Sequence, residues 1–473
     1  MRKPLKRTLL VLGGLVGLAA LGIAAALLLL AVNAKPGLET AASDALGMEV
    51  RINGDVHVQF FPGPGVALED VTIRNLGSDV AAAKQASLGI ELVPLLHKRL
   101  RINSMALTHV SVSIEQGRDG RFNFEGLGGV RRSFPEIAWS NVSVSDVTLL
   151  FVDRRTGKGF HAGPCELHVN RLQLPARADA RLLKHLSASA TVACHEIRTK
   201  SLVMHEVKFP IDGEDGAFDL KPVTLRLFGG QGAGSVHADF RGAAAAYRVR
   251  YSLSKFQLAE FYKAFSPTSS GQGLLDFAAD LSMAGSTIDQ ATRSTSGHVS
   301  LRAGTLTLGI GDLDQTLADY ESSQNFNLID LGAVFFAGPF GLAVTKGYNF
   351  ATIFRGSAGS THVHRLVSEW QVERGVAQAQ DVAMATRKNR IALKGSLDFV
   401  NGRFKGVTVA AVDARGCAIV LQRIRGSFDK PEVEKPNVLA SLTGPVGRLL
   451  KQAERLFGTK CEVFYAGSVE PPR

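Results

Sequence analysis

The stretch VALEDVTI, residues 66–73, alternates apolar and polar residues, changes phase, and alternates again. Successive side chains of a strand point to opposite faces, so a strand buried on one face keeps its apolar residues at one parity. Here Val66 and Leu68 are followed by Val71 and Ile73, with the polar pair Glu69 and Asp70 at the change. A β-bulge or sharp bend that inserts one residue would return the apolar set to the same face while curving the strand; two short strands meeting at a turn are the alternative. The spacing recurs in MALTHVSV (Met105, Leu107, Val110, Val112) and VSVSDVTL (Val142, Val144, Val147, Leu149). It returns in LHVNRLQL, residues 167–174, and LVMHEVKF, residues 202–209. The intervals are irregular, so the chain reads as a degenerate repeat of curved strands, not a strict solenoid.

With 473 residues, 49 of them glycine, the chain has room for two or three domains or one elongated array of strands joined by turns. The formal charge is +11, and Arg2, Lys3, Lys6 and Arg7 supply four of those charges. No long basic run follows, a distribution that disfavours nucleic acid as a partner and leaves mild attraction to anionic lipid headgroups. Residues Leu9 to Val32 are 24 consecutive uncharged positions. As a helix they would extend about 36 Å, enough for a hydrocarbon core of about 30 Å. The expectation is a single-pass anchor over 9–32, a cytosolic tail over 1–8 and the bulk of the chain outside. A cleaved signal ending at VNA is the alternative, although a signal core is usually shorter.

Strands are expected through VRINGDVHVQF, RINSMALTHVSVSIEQ and VTLRLFGGQGAGSVHADF, with a hairpin turn at GRDGR, residues 117–121, and a hairpin in GHVSLRAGTLTLG. FQLAEFYKAF, residues 256–265, has helical spacing and reads as a helix capping the sheet core. From 322 to 345 the only formal charge is Asp330, and Phe326, Leu328, Phe335, Phe336 and Phe340 lie inside. Core packing and contact with lipid or membrane are the two readings of that run. LTGPVGRLLKQAERLF closes the chain as an amphipathic helix. Cys165, Cys194, Cys417 and Cys461 permit three pairings. Export favours disulfides over buried thiols, and local closure would join Cys165 to Cys194 and Cys417 to Cys461.

Catalytic patterns are missing: there is no phosphate loop, nucleophile elbow or zinc helix. His362 and His364 in HVH would share a strand face, but no third ligand is indicated, so no metal or cofactor is expected. Cys194 and His195 are adjacent and would point to opposite faces, which weakens a dyad. GGQGAG, residues 229–234, matches a dinucleotide turn only in glycine content and reads as a flexible hairpin.

The blocks INGDVHVQFFPGPGVALEDVTIRN and LVPLLHKRLRINSMALTHVSVSIEQGRDGRFNFE, with the distal words SQNFNLIDLGAVFFAGPFG, TKGYNF, VEKPNVL and CEVFYAGSV, resemble the AsmA family of bacterial envelope proteins. The resemblance implies a Gram-negative inner-membrane protein facing the periplasm, built as a curved antiparallel β-sheet groove related to TamB and the chorein-type lipid bridges. On that reading 36–295 form the N-terminal and middle β-groove, and 296–473 form a β-rich region with a terminal helix. The implied function is noncatalytic: phospholipid carried in an apolar groove between inner and outer membranes, in support of outer-membrane integrity. The groove candidates are Val66, Leu68, Val71, Ile73, Met105, Leu107, Val110, Val112, Val142, Val144, Val147 and Leu149, although the same spacing fits a closed core. A scaffold for outer-membrane proteins, with envelope-protein partners, is the second expectation. An envelope hydrolase is a third, resting on HVH and Cys194–His195 alone.

Overall fold

Four of the five strands carrying the slipped spacing have a residue with left-handed backbone at the slip, and three of those residues, on β3, β5 and β7, lie at one level in the sheet. The computed structural model describes residues 35–40, 42–44, 47–59, 65–75, 77–90, 102–119, 121–123, 137–139, 141–174, 182–265, 270–309, 311–318, 359–434, 437–438 and 463–472. The chain forms two compact units, the first being 1–200 with 205–216 and the second 201–204 with 217–473.

The first unit is a sheet of β1 (Glu49–Ile52), β2 (Val56–Gln59), β3 (Gly65–Asn75), β4 (Ser78–Ile90), β5 (Ile102–Gln116), β6 (Ile137–Trp139), β7 (Val142–Asp153), β8 (Lys158–Leu174), β9 (Ser187–Thr199) and β10 (Val203–Glu214), whose residues from 205 belong here. VRINGDVHVQF is not one strand: β1 and β2 lie end to end along β3, broken at Asn53–Asp55. Gly54 sits against Glu69, and a Cβ there would come within 2.7 Å of the Glu69 Cβ, so the break needs glycine. Antiparallel pairing runs β3 to β4 to β5, and β7 to β8 to β9. The expected all-antiparallel sheet is interrupted between β5 and β7, which pair in parallel. GRDGR therefore does not join neighbouring hairpin strands: it folds Phe122 back onto Gln116, and the chain returns to pair β7 along β5.

Unit two is an antiparallel meander of β11 (Ala217–Leu227), β12 (Gly230–Asp239), β13 (Ala246–Gln257), β14 (Gly271–Ala284), β15 (Ser296–Leu308), β16 (Thr361–Glu373), β17 (Val376–Thr386), β18 (Arg390–Asp398), β19 (Arg403–Val412) and β20 (Ala418–Gly426). Two short strands, β21 (Pro431–Val433) and β22 (Asn437–Val438), close it on β20. The hairpin expected in GHVSLRAGTLTLG is instead the single strand β15; Gly304 and Thr305 both face out, while Ala303 and Leu306 are buried. The helix expected at 256–265 spans Leu258–Phe265 and buries Leu258, Phe261 and Tyr262 against a core that includes Leu253, Phe256 and Leu306. GGQGAG is a turn running into β12, where Gly232 lies under the Tyr251 ring: a Cβ there would come within 2.0 Å of Tyr251 Oη. Burial pushes the Tyr251 phenol up to about 12.

The opposite face of β16 to β19 carries small side chains, among them Ala383, Ala392 and Ala410, and the C-terminal residues Tyr465 and Val469 seat on it. Arg390 is buried, stacks on the Tyr465 ring at 5.3 Å, and donates from Nη1 to Val469 O (3.0 Å) and from Nη2 to Asp413 O (2.7 Å). Tyr465 Oη donates to Asp381 Oδ1 (2.5 Å), and the Ser468 amide donates to Asp381 Oδ2 (3.0 Å). Burial works to raise the Asp381 pKa, but the hydrogen bonds from Ser468 and Tyr465 outweigh it and hold the carboxyl below the usual range. Burial, with the bond to Asp381, raises the Tyr465 phenol.

One expectation is corrected. Among the described residues no helix is long and apolar enough to cross a membrane. Residues 9–32, on which the anchor was expected, lie outside the described residues, and the single-pass inner-membrane topology is without support. Phe326, Leu328, Phe335, Phe336, Phe340, the terminal helix and Cys461 also lie outside them.

Two outcomes follow from the second unit. The stability that Asp381 contributes is present above the ordinary aspartate value of about 3.9 and is lost as pH falls through its depressed folded-state value. Limited proteolysis across that window will release the C-terminal segment on acidification, and Asp381→Asn will remove the pH dependence. Replacing Gly232 by valine drives Cβ into the Tyr251 hydroxyl and will lower stability in a denaturant melt by about 1–3 kcal/mol.

Candidate functional site

The slip in VALEDVTI is a step at Asp70, which has φ 49°, and its counterparts in MALTHVSV, VSVSDVTL and LVMHEVKF are His109 (φ 51°), Asp146 (φ 53°) and Glu206 (φ 51°). Aspartate and histidine tolerate this left-handed conformation better than most side chains. A bulge puts an extra residue in one strand of a pair, but here both strands supply one. Glu69 pairs with Gln85 and Val71 with Ala83; Thr108 pairs with Gln85 and also with Ser145, Val110 with Ala83 and also with Val147. Asp70, Lys84, His109 and Asp146 are thus passed over together, and the register is the same on either side of the step. LHVNRLQL differs: its phase change accompanies a register shift against β9 between Val169 and Arg171.

The shared step keeps the apolar face continuous over β3, β4, β5 and β7, and register shifts of β8 against β7, between Val144 and Val147 and between Val147 and Leu149, bring β8 and β9 onto the same face, six strands in all. One row runs Val66, Leu88, Met105, Val142, Val169, Ala190, and the next runs Leu68, Ala86, Leu107, Val144, Leu167, Val192. Beyond the step the rows resume as Val71, Ala83, Val110, Val147, Cys165, Cys194 and then Ile73, Ala81, Val112, Leu149, Ala162, Ile197. All twelve positions singled out from the sequence fall on these four rows. Cys165 and Cys194 are directly opposite one another within the third row, and their sulfurs are bonded at 2.09 Å. Cys417 is likewise disulfide-bonded.

The polar residues fall on the other side. Ser87, Thr108, Ser111, Ser143, Thr148 and His168 alternate with the rows, and at the step both Glu69 and Asp70 are exposed. His109 Nε2 meets Asp146 Oδ2 at 3.3 Å and His57 Nε2 meets Glu69 Oε1 at 3.6 Å, contacts in open solvent that contribute little to stability. Asp55 joins His57 and Glu69 with ligand atoms within 4.8 Å, but all three are exposed, and the contact accounts for the grouping.

The rows are covered unevenly. At the β1 corner Leu38, in the helical residues 35–40, packs with Ile52, Leu68 and Ala86; Glu39 holds it there by accepting from the Ile52 amide at 2.7 Å. Elsewhere Val66, Val71, Ile73, Met105, Leu107, Val112, Val147 and Leu149 are only partly buried. Leu68, Val110 and Val144 keep 8 % exposure, whereas Leu366 and Met384 in the core of the second unit keep 0 %. Such a face can take up apolar matter without unpacking a core.

The other singled-out residues do not assemble. His362 is half-buried opposite Thr307, its Nδ1 3.4 Å from Thr307 Oγ1, and His364 is exposed. Among the described residues neither belongs to a group with metal-binding spacing. His195 is exposed on the side away from the disulfide of its neighbour. Sequence reasoning missed the left-handed geometry of the step, for which the Asp and His at the fifth position of three repeats were the available signal. It also missed the C-terminal network around Asp381, which joins residues 84 or more positions apart.

No curated protein and no solved structure is significantly similar to the chain. The AsmA family profile matches residues 1–131 and 163–382, well over half of the sequence. The chain belongs to the AsmA family, whose members are scaffold and transport proteins and not enzymes.

Proposed function

We propose that the apolar rows of the first unit hold phospholipid acyl chains noncovalently and that the protein assists phospholipid transport between the inner and outer membranes of a bacterial envelope. Family membership supports the coarser role, lipid transport at the envelope. The observation that carries the finer one is a row pattern apolar over six strands in which most side chains remain partly exposed. From 66 to 73 the rows cover roughly 23 Å along a strand, at about 3.3 Å per residue, against about 15 Å for the chains of one leaflet. Each methylene taken from water contributes about 0.8 kcal/mol, so ten of them supply about 8 kcal/mol before ordering costs. No charged group lies on the four rows, so affinity there is insensitive to headgroup chemistry and reversible, as a carrier requires.

The test places a photoreactive amino acid in the full chain in cells at Leu107 or Val112, on the rows, and at Thr108 or Ser111, on the other side. Phospholipid adducts are expected at the first pair only. Equal adducts on both sides, or none on the rows, would sink the reading. Leu107→Asp is expected to abolish adduct formation at Val112 while leaving the thermal unfolding transition in place; a variant that fails to fold would mean that Leu107 belongs to a closed core.

A further inference from the structure

The four rows end, on the side toward higher numbers in β3, β5 and β7, at a group of turns. β5 stops at Gln116, which pairs with Asp153 at the end of β7, and the Arg154 amide donates to Gln116 O at 2.9 Å. The turn after Gln116 is closed by Gly117 N to Arg121 O at 2.7 Å. Across the next hairpin Asp153 pairs with Lys158, and Phe160 pairs with Thr199 at the end of β9, next to Lys200. The register therefore brings residues 117–121, 154–158 and 199–200 to one end of one sheet.

Two properties coincide there. Arg118, Arg121, Arg155, Lys158 and Lys200 are exposed, and none of the five makes an ion pair with a described residue. The acidic groups beside them are already engaged: Glu115 holds Arg154 (Nη2 to Oε2, 2.7 Å), and Asp153 accepts from Thr156 Oγ1 at 2.6 Å and from the Arg155 amide at 2.8 Å. Asp119 accepts from the Arg121 amide at 3.1 Å, and Asp79 pairs with Arg74 at 2.9 Å. Asp153 also attracts Arg155; counting Arg74 and Arg154 with the five, seven cations face the four carboxylates of Asp79, Glu115, Asp119 and Asp153, and a net charge of +3 is left to an outside anion. Between these turns the apolar face continues past its fourth row through Ile114, Phe151 and Phe160, the two rings 5.4 Å apart. On the other side of β7, Leu150 is 43 % exposed.

A net cationic rim around the open end of an apolar face matches one kind of partner, an assembly that presents anionic phosphates at its surface and acyl chains beneath. We propose that this end of the first unit docks on an anionic phospholipid surface, the five cations engaging headgroup phosphates while Phe151 and Phe160 lead acyl chains onto the rows. The proposal rests on the reading of the rows as an acyl-chain site. It adds a direction to that site, because chains enter from this end, and a headgroup preference that the rows themselves lack. Each Lys or Arg near an anionic surface contributes about 1 kcal/mol.

The experiment uses the full chain in nanodiscs of phosphatidylcholine alone, so that the apolar segment 9–32 contributes equally to every sample. Flotation is measured with vesicles of phosphatidylcholine with or without phosphatidylglycerol. One variant changes Arg118, Arg121, Arg155, Lys158 and Lys200 to glutamine; a control variant removes the same charge from the second unit at Arg387, Lys388, Arg403, Arg423 and Lys430. The rim variant is expected to bind phosphatidylglycerol vesicles about tenfold more weakly or worse, with the control close to wild type. Unchanged binding by the rim variant, or an equal loss in the control, overturns the proposal. Adducts at Val112 are scored in the same samples: vesicle docking that depends on the rim without any adduct would sustain the docking surface and defeat the acyl-chain site.

Discussion

A strand can change the face its side chains present only if a residue leaves the extended conformation, and its neighbour keeps pace either by changing at the same level or through a bulge. Asp70, His109 and Asp146 have left-handed backbone, and together with Lys84 of β4 they are passed over at one level across β3, β4, β5 and β7, whereas β8 keeps pace with β7 through register shifts. A non-glycine residue in the left-handed region costs about 1–2 kcal/mol, so the arrangement persists because the rows on either side hold it in place. Where one strand alone carries the extra residue, the side chains beyond it face the wrong way relative to the neighbour unless a bulge restores them, as the register shifts of β8 against β7 do. The continuity of the apolar face over β3, β4, β5 and β7 and the segregation of serine and threonine to the other side follow from that agreement.

The second unit also changes phase along its strands, to a different end. Lys255, with φ 54°, separates Leu253 from Phe256, where the register against β14 shifts by one residue, and both point into a buried core. In β15 and β16 the pairs Ala303 with Leu366 and Leu306 with Val363 keep one register across the step. Here, however, the helix Leu258–Phe265 and large side chains fill the space over the face, and alanines on the far side admit the C-terminal residues. The step itself therefore does not decide between an open and a closed face. The decision lies in the size of the row residues and in what is laid over them: the first unit's rows contain Ala81, Ala83, Ala86, Ala162 and Ala190 with little above them among the described residues.

What could be read from the amino-acid sequence is what repeats locally. The apolar parity of VALEDVTI, MALTHVSV and VSVSDVTL gave the strands, the face and the position of the step, because all three are consequences of spacing within eight residues. The helix at Leu258–Phe265 was legible for the same reason. What depended on distant partners was not. Nothing in GRDGR announces that β7 will lie parallel to β5, and Gly304 looks like a turn residue until His364 and Arg365 are seen to step with it. Gly232 resembles a flexible loop glycine because its reason, the Tyr251 ring, stands 19 residues away on the next strand. The openness of the rows was illegible in principle, since a half-covered face and a closed core need the same parity.

The common level of the step also limits how such a chain can vary in length. A residue added inside one strand desynchronises it from both neighbours and turns half of its apolar side chains into water unless a bulge absorbs it, as between β7 and β8, whereas a whole hairpin added at the sheet edge inherits the level from the strand it joins. Proteins built on this plan are thus free to become longer by accretion of strands, with the breadth of the apolar track held constant, and their insertions and deletions are confined to the turns.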